Sequence, residues 1–171
     1  MNPCALQRLK TAWVGARTIL FGSLFVAIWW LIAAFVRHFD RTLTRYLHLP
    51  LAPWSAVVGG ACMLLGAAIA LSCVFNFVFR GRGTPAPFDP PRQLVGAGPY
   101  TYCRNPMYIG FFLLLGGLGL CWRSPAVLLL DLLAVLGAHI LVTTYEEPHL
   151  RRLFGSQYID YCGRVPRWIP K

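Results

Sequence analysis

Glu146 and Glu147 stand side by side in a chain that has six acidic residues against 16 Lys and Arg. A carboxylate pair can bind a cation, hold an arginine or take a proton. Earlier in the same helical pattern, His139, Thr143 and Glu146 recur at steps of four and three, which puts them on one face. A second polar cluster, GPYTYCRNPMYIG at residues 98–110, sets Tyr100, Tyr102, Arg104, Asn105 and Tyr108 directly before an apolar run. Aromatic faces beside carboxylates attract an organic cation through charge and cation–π interaction. Each group also has a structural reading. Asn105-Pro106 is a helix start, with the Asn side-chain oxygen as N-cap and Pro at the first helical position. Arg104 either snorkels to lipid phosphates or orients an anionic group. The glutamates pair either with Arg104, Arg151 or Arg152 or with a cationic ligand.

The elements that must carry these residues are membrane helices. The chain has 171 residues, is 57% hydrophobic and 13% charged, and its mean hydropathy is +0.55. That charge content is too low for a soluble surface. Apolar runs fall at 18–36, 54–79, 109–122 and 124–145. The first, second and fourth meet the roughly 20 residues a crossing needs. The third is short, and starting it at Pro106 makes it one arm of a hairpin that turns at Trp122-Arg123-Ser124-Pro125. The first run exceeds a signal-peptide core and lacks a small-residue cleavage site, so it reads as a retained span. The expectation is an all-α integral membrane protein with four transmembrane helices, the last two forming a hairpin. Residues 1–171 form one domain, with two spans in 1–79 and the motif region in 80–171.

Charge orients this arrangement. Among 16 Lys and Arg, only Arg37, Arg41, Arg45 and Arg123 lie on the loops opposite segments 1–17, 80–108 and 146–171. The positive-inside bias therefore places both termini and the 80–108 loop in the cytoplasm. An anionic leaflet accounts for the net charge of +10. No nucleic-acid motif is present. The six cysteines show no C-x-x-C spacing, so neither a disulfide framework nor a metal site is expected. Cys103 nonetheless sits within the 98–110 motif, where it can line a site.

Pro85, Pro87, Pro90, Pro91 and Pro99 give the loop before that motif a polyproline-like path. Beyond Glu147, Leu150, Leu153, Phe154, Tyr158 and Tyr161 recur at helical spacing, which predicts an amphipathic interfacial helix, with Trp168 as an interface anchor. Two carboxylates at the C-terminus of the fourth span are opposed by its macrodipole, so a cation must compensate. Pro148 removes a hydrogen bond to residue 144 and predicts a kink that turns the glutamates into a cavity. Asp131 is expected to pair with Arg123 at the far end of the same span. Asn76, four residues before Arg80, can hydrogen-bond between spans.

GPYTYCRNPMYIG, followed after the hairpin by YEEPHLRRLFGSQYIDYCGRVPRWIP, resembles the membrane methyltransferase superfamily of isoprenylcysteine carboxyl methyltransferases and phosphatidylethanolamine N-methyltransferases. The likeness covers residues 80–171. It implies S-adenosylmethionine as cofactor, held between the loop before the hairpin and the glutamate pair after it. Gly96 and Gly98 match the family's Gly-x-Gly element, Arg104 to Tyr108 match Arg-His-Pro-x-Tyr, and Glu146-Glu147 match its acidic pair. Asn105 departs from the histidine of many relatives, and an amide cannot titrate. GAGPYT is no Rossmann fingerprint, because it lacks the third glycine and follows no strand. The resemblance implies that Glu146 and Glu147 bind polar groups of the cofactor, and that Tyr100, Tyr102 and Tyr108 pack on its adenine or sulfonium. Arg104 orients a carboxylate of cofactor or acceptor. An amine acceptor needs a base, His139 or a glutamate, whereas a carboxylate acceptor needs none. The acceptor itself is a lipophilic small molecule, a lipid or a lipidated chain. Two rival readings are a noncatalytic scaffold or sensor that keeps a cofactor-like pocket, and an architecturally related membrane reductase.

Overall fold

The computed structural model describes residues 3–47, 52–76, 94 and 96–169. The proline-rich path of 80–93 and the Arg80 end of the second apolar run lie outside these residues. Helix α1 spans Pro3–Val36 and passes through a tight turn at Arg37–Phe39 into α2, Asp40–Leu47. Helix α3 spans Ser55–Asn76, α4 Pro106–Cys121 and α5 Pro125–Leu141. Two short helices, α6 at Glu147–Phe154 and α7 at Ser156–Arg164, complete the chain. Among the described residues, three helical stretches are long and apolar enough to cross a membrane: Gly15–Tyr46, Ser55–Asn76 and Pro125–Phe154. At 16 residues, α4 rises only about 24 Å against a hydrocarbon core of about 30 Å.

The short α4 is held by α3 through glycine. A Cβ on Gly59 would lie 2.5 Å from the Gly117 carbonyl, and one on Gly66 would lie 2.6 Å from the Gly110 carbonyl. The two backbones thus touch along a seam that repeats every seven residues on both helices. Small residues are how helices approach closely in a setting where apolar side chains gain nothing by leaving lipid. The α4–α5 turn falls at Trp122–Ser124, where Arg123 takes φ +51°. Ser124 Oγ caps α5 by accepting from the Val127 amide at 3.2 Å. Helix α1 meets this hairpin through rings, with Trp29 against Phe111 and Trp30 against Trp122. Most of its remaining apolar side chains, Leu24, Val26 and Leu31 among them, are exposed.

Three expectations change. The fourth span does not end before Glu146. It widens into a π-helical turn at Val142–Glu146 and continues as α6 to Phe154. Pro148 has no N–H to give the Thr144 carbonyl, and the backbone adapts one step earlier, the Glu147 amide reaching the Val142 carbonyl. The glutamates are therefore mid-helix, and the macrodipole does not oppose them. The expected single amphipathic helix is two, broken at Gly155 with φ +55°, a conformation only glycine adopts freely. The side chains of that stripe divide: Tyr158 and Tyr161 are buried with Val165, whereas Leu153 is exposed. Asp131 makes no pair with Arg123, which is exposed. Two turns into α5, it packs on Gly116 of α4, and its Oδ1 has no hydrogen-bond partner among the described residues.

Candidate functional site

The two separated motifs meet in one cleft of about 470 Å³, counting its open mouth. One wall is the loop before α4, with Tyr100, Arg104 and Asn105; the other is the π turn and α6, with Val142, Glu146 and Glu147. Leu94, Leu150, Phe154, Tyr158 and Tyr161 close the remaining sides. A π turn admits one extra residue per turn and is frequent at functional sites. Here it brings two consecutive glutamates to the same cleft from a helix that otherwise faces an apolar environment.

The glutamates divide their work. Glu147 is 5% exposed. Arg167 grips it with two bonds, Nε to Oε1 at 2.7 Å and NH2 to Oε2 at 3.0 Å. Arg104 adds a third contact, NH1 to Oε1 at 3.0 Å. This is a buried carboxylate balanced by two cations, which offsets the cost of taking the charge out of water. The Glu147 carboxylate in turn holds the Arg167 guanidinium protonated, above its ordinary range. Glu146 makes no ion pair among the described residues, and its Oε1 accepts the Tyr108 hydroxyl. Of the arginines expected to pair with the acidic residues, Arg104 does so, while Arg151 and Arg152 are exposed.

Arg104 is fixed from several sides. Its amide donates to the Pro166 carbonyl at 2.8 Å, and NH1 also reaches Cys162 Sγ at 2.9 Å. Its Nε is buried with no hydrogen-bond partner among the described residues. Asn105 does not cap α4 with its side chain. Its Nδ2 instead donates to the Arg167 carbonyl at 3.1 Å. Residues Val165–Trp168 therefore form a strap bound to the start of α4. At its end the Trp168 indole donates to His139 Nδ1 at 3.1 Å, and its ring packs on Tyr108 and Phe112.

The other sequence-predicted residues fall on both sides of the cleft boundary. Tyr100 lines it while packing on Cys73 of α3, and its carbonyl accepts the Tyr161 hydroxyl at 2.7 Å. Burial pushes the Tyr161 and Tyr158 phenols up, so both stay neutral donors. Tyr102 is 68% exposed and outside the lining. Gly98 sits behind the wall with φ +63°, and a Cβ there would lie 2.4 Å from Asn76 Nδ2. It is glycine because neither the dihedral nor the space allows a side chain. Asn76 bonds within its own helix, to the Ser72 carbonyl at 2.8 Å. Gly96 is exposed beside the Tyr161 ring. Cys103 is buried and does not line the cleft, and burial pushes its thiol up. His139 is exposed, and its Nδ1 accepts the Trp168 indole N–H. Sequence reasoning missed Arg167 as a site residue. Its signal was present: a basic side chain in a terminal segment that carries an interface tryptophan, in a chain with few acids to pair.

The family model for phospholipid methyltransferases matches residues 54–157, more than half of the chain. Protein-S-isoprenylcysteine O-methyltransferase of Mus musculus is 31% identical over 114 residues, 67% of this chain and 38% of the mouse protein. Protein-S-isoprenylcysteine O-methyltransferase B of Arabidopsis thaliana is 32% identical over 78 residues, 46% of this chain and 40% of the plant protein. The chain thus spans less than half the length of these curated relatives. A solved structure of the eukaryotic intramembrane Ras methyltransferase, isoprenylcysteine carboxyl methyltransferase, superposes with TM-score 0.59 at 25% identity, over 82% of this chain and 52% of that one.

Proposed function

The chain belongs to the phospholipid methyltransferase family, and on that premise we propose that it transfers a methyl group from S-adenosylmethionine to a lipophilic acceptor. It is an integral membrane protein, with three helices long and apolar enough to cross. We read α4 as a fourth crossing, shortened to fit its glycine seam, and both termini and the cleft as cytoplasmic, on the charge bias of the loops. The observation that carries the reading is the meeting of Glu146, Glu147 and Arg104, from two distant motifs, around one cleft, with Tyr108 outside its lining and bonded to Glu146.

The residues fit the cofactor. Among the described residues, Arg104 has an orphaned buried donor that suits a carboxylate, and Glu146 offers a carboxylate that no arginine neutralises. When bound, S-adenosylmethionine supplies a methyl group carried on a positively charged sulfur. Glu146 sets negative charge at the cleft wall, and Tyr108 fixes the direction of one of its oxygens. Glu147 has both oxygens engaged by arginine, so it positions Arg104 and contacts no ligand. Tyr100 borders the cleft as an aromatic wall, and Leu94, Leu150 and Phe154 exclude the water that would compete as methyl acceptor. For a carboxylate acceptor no base is needed. For an amine acceptor, Glu146 takes the proton, since His139 lies off the wall with its basic nitrogen occupied.

The test is calorimetric titration of the protein in nanodiscs with S-adenosylmethionine, followed by incubation of membranes with labelled methyl donor and identification of the labelled product. Binding with a labelled lipophilic product is expected. Binding without any product supports the scaffold or sensor reading, and absence of binding overturns ours.

A further inference from the structure

Two arginines converge on one carboxylate, and they do not share it equally. Arg167 faces Glu147 with the fork of Nε and NH2 and takes both oxygens. Arg104 reaches Oε1 with NH1 alone. The second contact of that nitrogen is Cys162 Sγ, a weak acceptor. The other edge of Arg104 is left with a buried Nε that has no partner among the described residues. A guanidinium facing a free carboxylate takes both oxygens itself, because the two planar forks match. Arg167 prevents that match. It is also tied to the segment that carries Arg104: Asn105 Nδ2 holds the Arg167 carbonyl and the Arg104 amide holds the Pro166 carbonyl. The two guanidinium groups are thus fixed relative to each other before any ligand arrives.

We propose that Arg167 is a positioning residue which occupies Glu147 so that Arg104 stays available to the carboxylate of the bound cofactor. The inference rests on the methyltransferase reading and specifies which group the strap serves. Arg167 is 34% exposed at its side chain, so it acts from the rim, through Glu147, without touching the ligand. Removing it lets Arg104 turn onto Glu147 and lose its anion-binding edge. Replacing both Arg167 and Glu147 removes the carboxylate that would recapture Arg104 and restores that edge.

The experiment compares S-adenosylmethionine with its decarboxylated analogue by calorimetry in nanodiscs. In the wild-type protein the carboxylate is expected to strengthen binding about tenfold, the scale of a charge-assisted contact. In Arg167→Gln that advantage falls to near unity, while the affinity for the decarboxylated analogue holds. Arg167→Lys, which can engage one oxygen only, gives an intermediate ratio, and Arg167→Gln with Glu147→Gln recovers the wild-type ratio. A merely structural role would weaken both ligands together, and that outcome, or an unchanged ratio in Arg167→Gln, overturns the proposal. Wild-type protein that binds neither ligand overturns the methyltransferase reading itself.

Discussion

The two ends of the α5 segment each hold a carboxylate, and the helix accounts for only one of them. At the first turn, Asp40 of α2 accepts from Ser124 Oγ at 2.7 Å and from the Ala126 amide at 3.1 Å. A negative charge at a helix start is favoured by the orphan amides and by the macrodipole, so Asp40 is explained by folding alone. At the other end, Glu146 and Glu147 occupy mid-helix positions where neither terminus helps. Glu147 is balanced by Arg104 and Arg167, brought from the loop before α4 and from the terminal strap, and Glu146 accepts the Tyr108 hydroxyl. A carboxylate the helix itself satisfies needs no further role. One that needs cations imported from two distant segments marks a candidate site.

The sharpest test of that contrast is truncation at both ends. Glu147→Ala leaves the buried Arg104 guanidinium without its carboxylate, beside the partly exposed Arg167, and the expected loss is about 3–5 kcal/mol of stability. Asp40→Ala removes a cap and leaves the buried Ser124 hydroxyl free to bond elsewhere in its turn, for about 1–2 kcal/mol. Chemical unfolding of both variants in the same detergent measures the difference. Equal losses would mean that the Glu147 cluster is no more than another cap.

Within the cleft end the two glutamates should separate by function. Glu146→Gln keeps an acceptor for the Tyr108 hydroxyl and removes the charge, so folding should hold. Affinity for S-adenosylmethionine should fall about 10- to 100-fold, roughly 1–3 kcal/mol. Calorimetry alongside unfolding reads both quantities on one sample. Asp40→Ala gives the smaller and complementary result: stability drops, and cofactor affinity changes by less than about twofold, since Asp40 acts at the opposite end of α5.

Much of this architecture is legible in the sequence because membrane helices announce themselves by composition. The long apolar runs and the Trp122–Ser124 turn need no tertiary information. The glycine seam does, since Gly59 and Gly66 read as ordinary small residues until Gly117 and Gly110 are set against them. The acidic pair and the Arg104 motif were legible as a candidate site because scarce charges in an apolar chain invite explanation. What was not legible was the division of labour between them. A proline after two glutamates predicts a break; whether the backbone kinks or widens into a π turn depends on the packing of Val142 and Glu147. Arg167 was hidden for the same reason, since its partner lies 20 residues away. The Asn105 side chain is the clearest case. Its neighbours argue for a cap, yet the strap offers the Arg167 carbonyl and takes the amide.

The smallest expected effect tests where the site stops. Tyr102 stands between Tyr100 and Arg104 in the motif, and its type suits an aromatic wall as well as that of Tyr100 does. The 3₁₀ turn at Gly98–Thr101 turns consecutive side chains in different directions, so Tyr100 is buried and Tyr102 is 68% exposed. Tyr102→Ala should therefore change stability by less than about 0.5 kcal/mol and leave S-adenosylmethionine affinity unaltered. Tyr100→Ala, by contrast, empties a buried ring position and should cost about 3–5 kcal/mol. Calorimetry and unfolding on Tyr102→Ala decide the point: a tenfold loss of affinity would extend the cleft across the turn and place the mouth of the site on the side that Tyr102 faces.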